Sequence, residues 1–467
     1  MAVLLPTFLV SFFLVQLLLQ ESTGAPGQPQ NNMTYEYSNS SAAPVATVVM
    51  GDMLVSQDLY NVKFNSSFPF SRKGFAFQSY LWPEEGGIPV VPYVFQDTQY
   101  QSEIETGIRH WEKHTCLIFR KKEVVDANWL RFINGNGCWA FIGKQPELGS
   151  QDVSIDNNCQ KLSIVVHEIG HAIGLFHEQM RSDRDEHVTI NWQNIHEGMK
   201  INFEKEKQYE DNRGVPYDYT SIMHYSGKAF NKNDRTTIAT KLPEYQGLLG
   251  RTEELTHRDK HIVNLMYGCI DKWQAQCPSA VVCEGEGYLG RDCTCVCPPG
   301  REGDRCELQK AEYYDQSMPA CSKTITTEIN FTSPNYPHNM PAGTWCVYKV
   351  EAPVGMVPEV IFHSFSFLSP SISSCIDFLE VRDSSPYEGG VYCRREIKKG
   401  QSFVGNSTNL YLYMDISSSG SQGFEAEVVF HNASHTFKPK PGGVKNLVPS
   451  TVLVLLALLA AQVYGKF

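Results

Sequence analysis

The cysteines constrain this chain most. There are fourteen, and they fall in three blocks with an even count in each. Cys116, Cys138, Cys159 and Cys269 are spread over residues 73–269, six crowd into residues 277–306, and Cys321, Cys346, Cys375 and Cys393 lie in residues 321–431. Even blocks fit a chain whose thiols all pair in an oxidising compartment, and they set domain boundaries between the blocks. Six cysteines in thirty positions is a density that only a disulfide-stapled mini-domain needs. A length of 467 residues also exceeds one compact domain. A formal charge of −11 with no long basic run argues against a nucleic-acid partner.

The ends of the chain have their own composition. Residues 2–20 are almost wholly apolar and are followed by Ser22, Thr23, Gly24 and Ala25. This order reads as a secretory signal peptide over residues 1–24, with an uncleaved anchor helix as the alternative because no Lys or Arg precedes the apolar run. Residues 25–72, rich in Asn, Ser, Ala and Pro and free of cysteine, read as a poorly packed leader ending in a basic pair, Arg72-Lys73. The tail, residues 442–467, carries an apolar run after Gly442-Gly443. It suits a removed lipid-anchor signal, a short transmembrane segment or a merely apolar terminus. A membrane partner enters only through that tail. Six sequons, at Asn32, Asn39, Asn65, Asn330, Asn406 and Asn432, offer glycan sites. Alternating stretches such as Leu410-Tyr411-Leu412-Tyr413-Met414 read as strands.

One segment carries chemistry. The run from Leu162 to Phe176 is apolar and free of proline, so it reads as a helix. His167 and His171, four apart, lie on one face and can present two imidazoles to one ion. Glu168 stands beside the first and can reach a water on that ion without ligating it. A continuing helix would carry His177 away; Gly174 can end the helix in a left-handed conformation and turn the chain so that His177 becomes a third ligand. Three neutral histidines leave a position for water, which is the open arrangement of a catalytic zinc site. The role that follows for Glu168 is that of general base in peptide hydrolysis. Two other readings compete: an adhesive protein with an inert protease-like domain, and a purely structural zinc site.

The extended motif His167–His177, followed by Glu178 and Arg181-Ser182-Asp183-Arg184-Asp185, resembles the astacin branch of the metzincin zinc proteases, and Ser221-Ile222-Met223-His224-Tyr225 resembles its methionine turn. Tyr80-Leu81-Trp82, Gly137-Cys138-Trp139 (on an expected edge strand) and Asn264–Cys269 add to the likeness. For residues 73–269 the resemblance implies an α+β catalytic domain of two subdomains flanking a cleft, with one Zn2+. Met223 would form a hydrophobic floor under the metal, and Tyr225 would be a movable further ligand that stabilises the transition state. Glu178 would bind the amino terminus freed when an activating protease cuts between Arg72 and Lys73, or one residue later. Gly51-Asp52 resembles the family's latency switch, with Asp52 on the zinc of the zymogen, although Val49 stands where the family has phenylalanine.

The resemblance also implies Cys116–Cys269 and Cys138–Cys159 bridges. Residues 277–306 resemble an EGF-like module, implying pairs 277–293, 283–295 and 297–306. Residues 321–431, with Ser333-Pro334-Asn335-Tyr336-Pro337, resemble an all-β CUB sandwich with pairs 321–346 and 375–393. Asp377 and Asp415 match the aspartates of a CUB calcium site, but Ser369 replaces its glutamate, so that site is incomplete. This domain order is similar to nematode astacins and to tolloid-like and hatching proteases. It implies a secreted enzyme acting on extracellular proteins of matrix, cuticle or egg-envelope type. Arg251 and Arg258 lie where some relatives place a basic residue that selects acidic side chains, with a solvated loop charge as the alternative.

Overall fold

The computed structural model describes residues 34–37, 45–64, 79–205, 212–278, 281–369 and 375–433. The signal and tail segments, the basic pair Arg72-Lys73 and the sequons at Asn32, Asn39 and Asn65 lie outside these residues. Asn330, Asn406 and Asn432 lie within them and are exposed. Among the described residues no helix is long and apolar enough to cross a membrane.

The first half is built on a mixed sheet. Its strands are β1 (Thr34–Tyr37), β2 (Val45–Met50), β3 (Met53–Ser56), β4 (Glu84–Glu85), β5 (Ile88–Phe95), β6 (Ile118–Lys121), β7 (Trp129–Ile133), β8 (Trp139–Phe141) and β9 (Ser150–Ser154). They run in the order β1-β2-β3-β8-β9-β7-β5-β4, with β6 paired to β5. Helix α1 (Gln57–Phe64) follows β3. Helices α2 (Gln101–His114) and α3 (Leu162–Ala172) cross on the sheet. Trp111 of α2 is fully buried there and donates from its indole to the Val166 carbonyl of α3 at 3.0 Å. The core beneath α3 (Val165, Val166, Ile169, Ala172) is completely buried, as expected for an apolar run that is nonetheless a helix.

Two expectations about the leader change here. Part of the leader is well packed: Met50, Met53, Val55 and Leu59 form an apolar cluster with Ile142 and Met180. The 137–139 segment is not at an edge either, because β3 pairs in parallel with β8, Met53 opposite Ala140 and Leu54 opposite Phe141. The cause is an unsatisfied strand edge. β8 needs partners for its backbone groups, and Ala140 and Ile142 donate to the Asp52 and Leu54 carbonyls at 3.0 and 3.1 Å.

The second half of this domain is poor in regular structure. It holds one short antiparallel pair, β10 (Val188–Ile190) with β11 (Ile238–Thr240), and a separate core of Phe203, Tyr217, Tyr219, Tyr225, Leu248 and Leu249. Helix α4 (His257–Met266) begins with a capping box between Thr256 and Asp259, and α5 (Cys269–Gln276) leads into the cysteine-rich segment.

Beyond it, strands 323–325, 344–351, 409–416, 378–382 and 390–392 form one sheet, and 329–332, 423–432, 356–366 and 402–404 form another. Their inward residues, such as Tyr348, Leu412, Phe362 and Phe424, share one core. The bridges run Cys116–Cys269, Cys138–Cys159, Cys277–Cys293, Cys283–Cys295, Cys297–Cys306, Cys321–Cys346 and Cys375–Cys393.

Candidate metal centre

Helix α3 places His167 and His171 on one face, their rings 4.5 Å apart. The helix then stops. Gly174 has φ +110°, a conformation that side-chain-bearing residues avoid, and its N–H closes back on the His171 carbonyl at 2.8 Å. Two aromatic residues hold the helix end: Trp82 donates to the Ala172 carbonyl at 2.8 Å and the Tyr267 hydroxyl to that of Ile173 at 3.0 Å. The turn returns His177 to the pair, its Nε2 3.3 Å from that of His167.

Each helical histidine is aimed by its other nitrogen. Nδ1 of His167 meets the Ile222 carbonyl at 2.8 Å, and Nδ1 of His171 the Leu175 carbonyl at 2.7 Å. A carbonyl can only accept, so each Nδ1 carries the proton and each Nε2 presents a lone pair. A fourth group enters the cluster. The Asp52 carboxylate lies 3.0, 3.3 and 3.7 Å from Nε2 of His177, His167 and His171. Burial works against its charge, but the imidazoles, His177 foremost, hold its carboxyl well below the usual range. These four side chains offer ligand atoms within 4.8 Å of one another. Three neutral nitrogens and a carboxylate, with His171 Nε2 and Asp52 Oδ1 lacking hydrogen-bond partners, are a donor set that fits zinc.

Glu168 is 1% exposed, and its Oε2 has no hydrogen-bond partner among the described residues. Burial, and then the charge of Asp52, push its pKa well above the ordinary carboxylate value. Tyr225 packs its ring 4.2 Å from that of His177 and buries a hydroxyl that likewise lacks a hydrogen bond. Gly51 lies against that hydroxyl so closely that a Cβ there would overlap it. Met223 is 2% exposed beneath α3, its sulfur directed at Gly170. Glu178 donates its N–H to the Met223 carbonyl at 3.0 Å. Its carboxylate accepts from the Asp218 N–H at 2.8 Å and from Arg181 at 3.1 Å. Burial raises its pKa to about 7, with Arg181 opposing. Beside it lies a cavity of about 110 Å³.

Sequence reasoning passed over two supporting residues. Asp259 accepts from the Ser221 hydroxyl (2.6 Å) and the Ile222 N–H (3.0 Å), and so holds the turn whose carbonyl orients His167. The Thr256-x-x-Asp259 capping pattern was the available signal. Gln179 accepts from the Tyr225 N–H at 3.1 Å and had no signal at all.

Arg251 and Arg258 are both held in ion pairs with later segments. Arg258 is bidentate to Glu286 at 2.6 Å and donates to the Tyr217 carbonyl, while Arg251 pairs with Asp415 at 2.5 Å. Both tie the first domain to the later ones. Asp415 is therefore engaged, and Asp377 accepts from the Ser417 and Ser418 N–H groups and from the hydroxyls of Ser418 and Ser421.

Such a fold, with three histidines and a carboxylate around one metal position and a strand-rich domain behind it, defines a zinc-peptidase architecture. Residues 76–268 match the profile of the peptidase family described as Astacin, and residues 321–428 that of the CUB domain. Residues 76–268 are thus an astacin-type peptidase domain, with a CUB domain following it. It is 34% identical to blastula protease 10 of Paracentrotus lividus over 80% of this chain and 64% of that protein. It is 36% identical to zinc metalloproteinase dpy-31 of Caenorhabditis elegans over 65% and 52%. The chain thus spans between half and two thirds of the length of these relatives. Among solved structures, high choriolytic enzyme 1, a hatching enzyme zinc-protease from Oryzias latipes, is 32% identical with a TM-score of 0.39, covering 42% of this chain and 98% of that one.

Proposed function

We propose that the chain is a zinc-dependent endopeptidase, exported and made as a latent precursor, which hydrolyses extracellular proteins once its leader is removed. The observation that carries this reading is the Asp52 carboxylate set among the Nε2 atoms of His167, His171 and His177. A purely structural zinc site has no use for a removable fourth group. When bound by the three histidines, zinc would acidify a water and polarise a peptide carbonyl.

The chain's own groups do the rest. Glu168 takes the proton from the attacking water and delivers it to the departing amine. The charge of Asp52 is the second of the two causes that raise the pKa of Glu168, after burial, so departure of Asp52 would remove part of that shift. The Tyr225 hydroxyl would be a displaceable ligand of that zinc and would donate to the developing oxyanion. After the cut between Arg72 and Lys73, the new terminus enters the cavity beside Glu178, where an ammonium would meet a carboxylate. Residues 277–306 serve as an EGF-like spacer. The substrates are of matrix, cuticle or egg-envelope type.

Replacing Glu168 with alanine in the processed enzyme tests the reading. Casein hydrolysis should vanish while zinc content stays at one per chain. Cleavage at the parent rate would refute the mechanism. Tight hydroxamate inhibition of the parent distinguishes an open metal site from a structural one.

A further inference from the structure

One face of the CUB domain covers the chain that follows Tyr225. Glu380 and Arg382 are 0% and 1% exposed. Arg382 donates to Glu380 and to the Gln246 side-chain carbonyl, both at 3.0 Å, and Glu380 accepts from the Thr236 hydroxyl at 2.8 Å. Gln246 passes the contact on: it donates to the Ile238 carbonyl at 2.9 Å, and the Thr237 and Ile238 N–H groups donate to the Gly227 carbonyl at 2.9 and 3.2 Å. Trp345 lies against Gly247, where any Cβ would overlap its ring. Lys228 sets its ammonium 3.1 Å above the Phe378 ring. Gly227 and Lys228, half-buried, thus lie between β11 and the CUB domain, two and three residues after the tyrosine whose ring packs on His177.

The same face has little left for an outside ligand. Asp415 is held by Arg251, Asp377 by backbone and serine donors, and Glu388 by Gln193, Asn194 and Arg235. We propose that the CUB domain is a built-in clamp on the active site: through Arg382, Glu380 and Trp345 it holds 246–247 against 226–228 and so fixes Tyr225. These three are positioning residues, and the proposal rests on the reading of Tyr225 as acting on the reaction. A catalytic side chain is only as well placed as the residues that support it, and small misplacements are costly in rate.

The test uses full-length, processed enzyme carrying Arg382→Met or Trp345→Ala, with Val360→Ala, in the CUB core, as a control for lost stability. Rates are taken per hydroxamate-titrated site. Each clamp variant should lose about ten-fold in kcat at unchanged KM and zinc content, and the Thr237 and Ile238 amides should exchange about ten-fold faster. The control should show neither change. Should Arg382→Met leave its buried partner charge unpaired and fail to fold, Trp345→Ala carries the test alone. Parent values of kcat and exchange in the clamp variants, or an equal fall in the control, would overturn the proposal. Tyr225→Phe, run in parallel, separates the two claims. A parent kcat there sinks the reading of Tyr225; a reduced one beside unimpaired clamp variants sinks only the clamp.

Discussion

Gly51→Ala in the leader puts the latency reading to a quantitative test. Gly51 has φ +68°, and holding alanine in that region costs about 1–2 kcal/mol. The new methyl also overlaps the buried Tyr225 hydroxyl, which cannot retreat freely because its ring is packed on His177 and Phe203. Strain of this kind adds about 1 kcal/mol. The closed state is then destabilised by about 2–3 kcal/mol, and at 1.4 kcal/mol per ten-fold the open fraction rises about 30- to 150-fold. The assay is hydrolysis of a quenched fluorescent peptide by a precursor that cannot be processed, with Arg72 and Lys73 both replaced by alanine. Asp52→Ala in the same background marks the fully released limit. Basal turnover unchanged by Gly51→Ala, with Asp52→Ala active, would refute the close fit of leader to Tyr225. Unchanged turnover in both would refute latency through Asp52.

Two further outcomes follow from buried groups. Burial lowers the pKa of Lys228 to about 8, against Glu380, Asp234 and Asp415. The folded state therefore disfavours the ammonium; the penalty is full below pH 8 and relieved as pH rises toward 10.5. Lys228→Met should be more stable than the parent at pH 7 by at most ~3 kcal/mol, and urea unfolding should show the gap closing between pH 8 and 10.5; parallel profiles would contradict this. Asp259→Ala frees the Ser221–Ile222 turn that orients His167, so zinc retention against a chelator should weaken about 10- to 100-fold, and an unchanged affinity would remove Asp259 from the site.

What was legible in the sequence was what is local. The ligand pair sits one helical turn apart and Gly174 bends the chain within three residues of His177, so spacing alone carries that geometry. Asp52 lies more than a hundred residues from the helix, and only its likeness to a family pattern pointed to it. Pairings across long separations lie outside that local reach. Arg251, Arg258, Glu380 and Glu388 look like solvated charges in a sequence because nothing local shows that a partner 28 to 195 residues away will engage them. Tyr313 and Tyr314, between the expected domains, carry no local signal, yet both pack on the second core and Tyr314 accepts from the Tyr219 N–H. The leader was misjudged for a related reason. Its composition suggested loose chain, but the edge of β8 supplies the backbone partners that its own residues lack.

If the leader is cut after Arg72, as proposed, the strand that β3 adds to β8 would separate scission from release. Hydrolysing the bond after Arg72 severs one covalent link and none of the contacts between 45–64 and the peptidase domain. The paired strand, the apolar cluster around Met50 and Met53, and the Tyr60–Glu204 hydrogen bond at 2.9 Å all survive the cut. A nicked protein would keep its leader for the residence time of that non-covalent complex. Turnover would then begin after a lag set by dissociation, and adding more activating protease would not shorten it.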